Sequence, residues 1–316
     1  MKHFVIILLS CLIIGCDDNK SKEVIKTATS KINIDTTEFS LSYLEPIHKR
    51  KNFKTYDASL FSYINSNPNK PDSIRKIIYL MPLGNMSPKI EEIIKNEAEY
   101  LKVFFQLEVK VLARIPFNEI KNQKVKTRFV PSNDYDYYSK TKEGSGDLTE
   151  QIEANSLINN YIKEIVPDSA IAVLGITEHD LYIPKMNYIF GTSYLKDRIG
   201  LISTFRIAEN SFESKSNIRK VTTKQIANLF SISNVKDYYC VLNFHNHIDG
   251  LRNGVTYISP KALEKLKYSI GFNYDKRFTE LKDYHHWEKN VSMEHYYDEC
   301  IKLKPNIKQP TKSDTK

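Results

Sequence analysis

Two apolar runs constrain the fold more than any other feature of this sequence. Residues 77–81 (IIYLM) and 169–176 (SAIAVLGI) are short, nearly free of polar side chains, and bounded by proline, glycine or aspartate. Such runs are typical of strands that are buried on both faces of a sheet. Apolar residues at helical spacing predict helices over 88–104 and 148–165 between them. Strands that alternate with helices predict an α/β body, with some α+β tendency.

The rest of the body extends this pattern. Residues 108–112 alternate like a second strand, and 187–191 with 199–206 predict a hairpin at the edge of a mixed sheet. A helix is predicted from about 216 to 231, because Ile226, Leu229 and Phe230 form an apolar stripe on one face. Two or three further helices, beginning near 259, 274 and 292, predict a helical C-terminal part.

The N-terminus resembles a bacterial lipoprotein signal. Lys2 precedes an apolar stretch too short to span a bilayer comfortably, and Gly15 stands directly before Cys16. The resemblance implies a signal peptide over 1–15, cleavage before Cys16 and acylation of that residue. Several acyl chains would hold the protein to a membrane of the cell envelope. Asp17 and Asp18 beside the predicted anchor resemble lipoprotein sorting signals. Such signals are read differently in different bacteria, so the sequence does not predict which membrane leaflet carries the protein.

Composition divides the remaining chain. Residues 16–72 are rich in Lys, Ser, Thr, Asn and Asp, which predicts a flexible tether, and 302–316 predict a basic disordered tail. The folded domain is therefore expected over 73–301. The net charge of +8 comes from lysines spread along the chain. No arginine-rich stripe interleaved with aromatic residues appears, so the charge predicts solvated surface rather than a nucleic-acid site.

Three segments carry a resemblance to a known family. Residues 173–182 (VLGITEHDLY), 187–191 (NYIFG) and 200–206 (GLISTFR) resemble, in order and spacing, the segments that precede the active helix of archaemetzincins, a family of zinc metallopeptidases. The resemblance extends over roughly 77–266 and implies a metzincin-like body with an active-site-type helix. In that family the helix reads His-Glu-x-x-His-x-x-Gly-x-x-His, with three histidines on zinc and the glutamate as general base.

Aligned in that register, the helix carries none of these groups. The histidine positions fall on Lys224, Asn228 and Asn234, the glutamate on Gln225, and the glycine on Ser231. Residues 238–244 (YYCVLNF) match the family's methionine turn just downstream, with Leu242 in place of methionine. Since the register is fixed on both sides, the resemblance places each missing group at a definite residue.

A second zinc site of the family is also incomplete. Its four cysteine positions fall on Val235, Cys240, Ser259 and Ala262, and one cysteine in four cannot make that site. After export, Cys240 and Cys300 are the cysteines that remain unmodified. They would either pair or stay as two free thiols, and the sequence leaves both open.

The replacements predict loss of the peptidase chemistry. An ammonium has no lone pair for a metal, asparagine and glutamine amides are weak zinc ligands, and Gln225 lacks a proton-accepting carboxylate. We therefore expect no cofactor and a non-catalytic protein that binds a peptide or protein along an edge strand near 199–206. The Lys224 ammonium either replaces the lost cation and satisfies its acceptors, or extends into solvent.

One alternative interpretation is that the protein is an active enzyme. His245 and His247 lie two apart, so in an extended segment they would face the same way and could hold zinc with Asp249 or Asp237. The chain would then be an active metallopeptidase with a relocated metal site. A metal count on the purified protein separates this alternative from the non-catalytic one.

Overall fold

The computed structural model describes residues 39–51, 59–131, 148–207 and 211–304 of the 316-residue chain. The predicted signal peptide over 1–15, the predicted lipidation site Cys16 and most of the predicted tail over 302–316 lie outside the described residues. Within the described ranges, no helix is both long enough and apolar enough to cross a membrane.

The described residues form two sheets. Their strands are β1 (Ile77–Leu83), β2 (Glu108–Val111), β3 (Thr127–Pro131), β4 (Leu148–Glu153), β5 (Ala170–Thr177), β6 (Asp180–Tyr182), β7 (Gly191–Tyr194) and β8 (Ile199–Ser203). The larger sheet has the order β2-β1-β5-β8-β7, and only β7 runs antiparallel to its neighbour. The smaller sheet has the order β3-β4-β6. The predicted α/β class with a mixed sheet is confirmed.

Ten α-helices accompany these strands in the described part of the chain. They are α1 (Glu45–His48), α2 (Leu60–Asn65), α3 (Pro88–Phe105), α4 (Phe117–Lys121), α5 (Ala154–Asn160), α6 (Ser211–Leu229), α7 (Ile248–Arg252), α8 (Pro260–Ile270), α9 (Tyr274–Trp287) and α10 (Val291–Lys302). The last three are the helical C-terminal part that the sequence predicts, and α6 is the predicted active-site-type helix.

The core lies on both faces of the larger sheet. Every residue of β1 and β5 is buried. Because side chains alternate along a strand, Ile78 and Leu80 enter a core cluster shared with α3 and α6, whereas Tyr79 and Met81 enter another cluster shared with α5. Burial on both faces explains why these two strands read as continuous apolar runs.

The predicted helix over 148–165 is wrong in its first third. Leu148–Glu153 is strand β4, paired antiparallel with β3 and parallel with β6. A helix follows over Ala154–Asn160, and a short 3₁₀ turn covers Ile162–Ile165. Leu148 and Ile152 are four residues apart, a spacing that fits one face of a helix and one face of a strand equally well. Pairing with distant strands decides between the two.

Part of the predicted tether packs against the body. Leu41, Leu44 and Tyr63 are buried in the larger core cluster. The Tyr63 hydroxyl donates to the Phe230 carbonyl oxygen at 2.5 Å, directly beyond the end of α6. The apolar groups of this segment are short and separated by long polar stretches, so the overall composition reads as a tether. The compact unit begins at Phe39, N-terminal of the predicted start at residue 73.

Helix α6 ends in a turn that the aligned motif anticipates. Ser231, at the family's glycine position, has a φ of 65°, in the left-handed region that favours glycine. The Ile232 amide donates to the Ala227 carbonyl at 3.3 Å and the Ser231 amide to the Asn228 carbonyl at 2.8 Å, which together form a Schellman-type end. The Asn69 side-chain amide donates to the Leu229 carbonyl at 2.7 Å and completes this end. Ser231 thus adopts, as a non-glycine residue, the left-handed conformation that glycine favours.

Candidate functional site

A cleft of about 1180 Å³ lies along α6. The residues that line it come mainly from four places: the segment leading into and through β7, one face of α6, the turn after α6, and the segment around α7. All five aligned motif positions line the cleft, namely Lys224, Gln225, Asn228, Ser231 and Asn234. The structure thus brings together the residues that the sequence alignment singles out.

The Lys224 ammonium points to a backbone acceptor and not into bulk water. Its Nζ donates to the Asn243 carbonyl oxygen at 2.9 Å and lies 5.1 Å from the centre of the Phe244 ring. Burial lowers the pKa of Lys224 to about 8, and nearby Cys240 offsets part of that effect. The ammonium therefore ties α6 to the turn at Asn243, while the side chain stays partly open to the cleft.

Gln225 is held by the neighbouring strand. Its Oε1 accepts a hydrogen bond from Ser193 Oγ of β7 at 2.5 Å, and the side chain is buried. A Cβ placed on Gly191 would come within 3.1 Å of Gln225 Nε2, so glycine lets β7 approach the helix this closely. The amide at the general-base position joins α6 to the sheet edge and offers no carboxylate to a water molecule.

Asn228 and Asn234 differ in their surroundings. Asn228 lies one helical turn beyond Lys224, on the same face, and its Oδ1 is buried without a hydrogen-bond partner among the described residues. Asn234 is exposed, in the segment that follows the Ser231 turn. Only Asn228 therefore leaves an unsatisfied polar atom at the cleft.

His245 and His247 both line the cleft. Burial lowers the pKa of His245, and the charges of Lys224, Lys220 and Arg50 lower it further. His245 also packs closely, since a Cβ placed on Gly254 would lie 2.9 Å from its Nε2. His247 is exposed at the start of α7. In the described ranges, no group of three or more His, Cys, Asp and Glu side chains is placed to hold a metal.

The four aligned cysteine positions lie in the core. Val235, Cys240, Ser259 and Ala262 are all fully buried. Cys240 Sγ accepts from the Ser259 amide at 3.2 Å, so the structure brings these two positions into contact. Cys240 and Cys300 are buried thiols that form no disulfide. The four aligned positions are thus part of the packed interior.

Lys220 belongs to the site, and sequence reasoning missed it. It lies one helical turn before Lys224, and its Nζ donates to the carbonyls of Leu251 at 2.8 Å and Arg252 at 2.9 Å. A weaker bond reaches Asn217 Oδ1 at 3.3 Å. Burial lowers the pKa of Lys220 to about 8, with Glu213 acting in the opposite direction. The four-residue spacing from Lys224 was the available signal.

The edge of the sheet differs from the predicted one. β8, within the predicted edge segment 199–206, is internal and pairs with β5 on one side and β7 on the other. The hairpin itself is present, with Gly191 opposite Ile202 and Tyr194 opposite Ile199. β7 is the last strand of the larger sheet. Within the described residues, the unpaired edge beside the cleft is therefore that of β7. Arg206, just past β8, lines the cleft and is paired with Asp180, with N–O distances of 2.8 and 3.0 Å.

No family model matches the chain. Among curated proteins, archaemetzincin-2 of Homo sapiens is 23% identical over 249 aligned residues, which cover 67% of this chain and 64% of that protein. The archaemetzincin of Pyrococcus furiosus is 23% identical over 208 residues, covering 64% and 97%. The chain thus spans less than two thirds of the human relative.

Solved structures include similar proteins. The archaemetzincin of Methanopyrus kandleri aligns at a TM-score of 0.46 and 18% identity, covering 63% of this chain and 97% of that one. A structure described as a zinc-dependent peptidase from Methanocorpusculum labreanum aligns at a TM-score of 0.40 and 15% identity, covering 60% and 99%.

Proposed function

The chain is an archaemetzincin-like protein, and from that premise we propose that it is a non-catalytic member of this group that binds a peptide or protein segment in the cleft along α6. The proposal concerns this chain alone. The zinc dependence named for a solved relative does not transfer to it, because the side chains at the aligned positions do not fit the metal.

The donor chemistry of the cleft carries the proposal. Lys224 presents a donor without a lone pair, and its Nζ is already bonded to Asn243. Gln225 is bonded to Ser193 and has no carboxylate to activate water. Asn228 and Asn234 offer amide oxygens, which are weak ligands for a metal that prefers imidazole and thiolate. Four positions thus fail the requirements of a catalytic zinc site.

The geometry that supports binding is the position of β7. Its outer edge is unpaired within the described residues, and Gly191, Thr192 and Ser193 line the cleft. An extended segment can add to such an edge through main-chain hydrogen bonds, while its side chains enter the neighbouring cleft. The predicted peptide-binding edge therefore moves from β8 to β7.

The proposal places the protein on a membrane of the cell envelope, anchored through lipid on Cys16. The support is the lipoprotein-like signal in the sequence. Labelling growing cells with a radioactive fatty acid tests this part. We expect label on the native chain and none on Cys16→Ser, whereas equal labelling of both would refute the anchor.

The relocated metallopeptidase remains the rival function, with zinc as its cofactor. The charge around His245 disfavours it, because Lys224, Lys220 and Arg50 would repel a divalent cation. Elemental analysis of the full chain, purified without a metal-affinity tag, tests the proposal. We expect zinc far below one atom per chain and no change in His245→Ala/His247→Ala. Stoichiometric zinc that is lost in that double variant would establish the rival.

A further inference from the structure

We propose that the cleft along α6 selects acidic peptides: an extended segment pairs with the edge of β7, its Asp or Glu side chains face the cleft, and Lys224 binds one of their carboxylates. This inference rests on the proposed peptide-binding function and names the ligand class. The direction of the β7 backbone groups, the charge of the cleft lining and the position of Lys224 carry it.

The first observation is the direction of the backbone groups of β7. Hydrogen-bonded and non-hydrogen-bonded pairs alternate along an antiparallel ladder. The Ser203 amide donates to the Phe190 carbonyl at 3.0 Å, and Gly191 lies opposite Ile202 in the next pair. The N–H and C=O groups of Gly191 and Ser193 therefore point away from β8, toward the open edge, where a ligand strand can pair with them.

The same two residues set the direction of the ligand side chains. Ser193 Oγ donates to Gln225 Oε1 on α6, and a Cβ added to Gly191 would lie 3.1 Å from Gln225 Nε2. Both positions thus face α6. Residues directly opposite each other in a sheet have their side chains on the same face. Every second side chain of a ligand strand therefore faces α6, beside which the cleft lies.

The second observation is the charge of the cleft lining. It contains one carboxylate, Asp249, and five cationic side chains, namely Lys185, Arg206, Lys220, Lys224 and Arg252. Arg206 is paired with Asp180. Arg252 is paired with Glu213 and with Asp249. The three lysines have no carboxylate within ion-pair distance among the described residues. A cleft with this excess of positive charge attracts an anionic ligand.

Lys224 is the lysine best placed to meet a ligand carboxylate. It precedes Gln225, which is bonded to β7, and it is half-buried on the cleft lining. Its ammonium has three N–H donors and one hydrogen bond, to the Asn243 carbonyl at 2.9 Å. Lys220, in contrast, is buried against three acceptors. Lys185 is exposed, so solvent screens its charge. A carboxylate at Lys224 forms a strong, charge-assisted hydrogen bond.

The titration of the neighbouring groups agrees with a positive cleft. Burial lowers the pKa of Lys224 to about 8, because the charged form loses hydration. Burial also lowers the pKa of His245, and the charges of Lys224, Lys220 and Arg50 lower it further. Both directions are those of positive charge without a compensating anion, which an acidic ligand supplies.

The test compares two fluorescent seven-residue peptides, N-acetylated and C-amidated, that differ only in charge. One alternates threonine with glutamate, which occupies the second, fourth and sixth positions, and the other has glutamine in place of each glutamate. Binding to the full chain is followed by fluorescence polarisation at pH 7 and physiological ionic strength. We expect the glutamate peptide to bind about tenfold or more tightly, the gain typical of one hydrogen bond between charged groups. The native protein alone decides this comparison.

Variants then locate the contact. Lys224→Gln removes the charge and should lose most of the preference for the glutamate peptide, whereas Lys224→Arg should retain it. Because the whole chain has a net charge of +8, the matched control is Lys95→Gln, which changes the net charge equally. Lys95 is exposed on α3, outside the cleft lining, and this variant should retain the preference. Thermal melting of each variant checks that it is folded.

Each other outcome overturns a definite statement. Equal affinity for the two peptides, or an intact preference in Lys224→Gln, refutes acidic selection by Lys224 and leaves peptide binding standing. An equal loss in Lys95→Gln assigns the preference to overall charge and refutes the inference as well. An oligothymidylate of the same charge that competes as well as the glutamate peptide refutes the peptide class, because it has no backbone N–H groups to pair with β7. If neither peptide binds, the proposed function fails together with the inference.

Discussion

The two faces of α6 treat buried charge in opposite ways. On the face toward α3 and α9, Arg219 donates to Glu97 Oε1 at 3.0 Å and to Glu288 Oε2 at 2.7 Å, and its guanidinium lies 4.1 Å from the Tyr100 ring centre. On the cleft face, Lys224 has one hydrogen bond and Asn228 Oδ1 has none among the described residues. One face pairs its buried cation with two carboxylates, and on the other face Lys224 has no carboxylate partner among the described residues.

This difference gives the two faces of α6 different roles: one stabilises the fold, and the other lines the cleft. Burial raises the pKa of Glu288, but hydrogen bonds from Arg219, His285 and Lys215 lower it more, so it lies well below its usual range. This network of buried charges ties α6 to the neighbouring helices, because removing its cation would leave buried carboxylate charge poorly compensated. On the cleft face, Lys224 is held by one backbone carbonyl and, within the described residues, by no carboxylate.

The largest expected effect is on the face toward α3 and α9. Arg219→Met should lower the free energy of unfolding by about 3–5 kcal/mol, because it leaves Glu97 buried without a cation and Glu288 with Lys215 as its remaining cation. Urea denaturation measures this loss. The control is Arg75→Met, which breaks an exposed pair with Asp72 and should cost no more than about 1 kcal/mol. Equal losses in the two variants would mean that the buried network stabilises the fold no more than an exposed ion pair does.

A smaller effect distinguishes Lys220 from Lys224 by how accessible each amine is to a labelling reagent. Both have a pKa lowered to about 8 by burial, so half of each amine is neutral near that pH. We expect amine labelling of Lys224, read by mass spectrometry, to rise through pH 8 and level off above it. Lys220 should label severalfold more slowly, because it is buried and fully bonded. A Lys224 rate that still climbs toward pH 10 would contradict this picture.

The smallest effect is at the end of α6. Ser231 adopts a left-handed conformation, so Ser231→Gly should raise the free energy of unfolding by about 0.5–1 kcal/mol. Ser233→Gly is the control, since Ser233 is exposed and has no positive φ, and it should not stabilise the protein. Thermal unfolding compares them, and similar shifts in both would mean that the turn carries no strain.

The sequence predicts those parts of the fold in which burial leaves a pattern. β1 and β5 are buried throughout and read as apolar runs, and the Ile226–Leu229–Phe230 stripe marks α6. β4 is missed because its apolar spacing also fits a helix, and pairing with β3 decides its structure. The packing of Leu41 and Tyr63 is missed because their apolar groups are short and lie within a mostly polar segment, whose composition predicts a tether.

The candidate site likewise has some features that the sequence predicts and others that it does not. Flanking segments fix which residues occupy the motif positions, and all of them line the cleft. The direction of the Lys224 side chain does not follow from sequence, because a long flexible side chain can reach solvent or an internal carbonyl. Lys220 belongs to no motif. Its role follows from the position of α7, whose Leu251 and Arg252 carbonyls accept hydrogen bonds from the Lys220 ammonium.

Zinc titration of two proteins tests the central claim most directly. The native chain and Lys224→His/Asn228→His/Asn234→His are freed of metal and dialysed against zinc, and bound zinc is counted per chain. Because the Ser231 turn keeps the frame of the motif, the account predicts no specific zinc on the native chain and one atom on the restored variant. One zinc on the native chain, abolished by His245→Ala/His247→Ala, would contradict it.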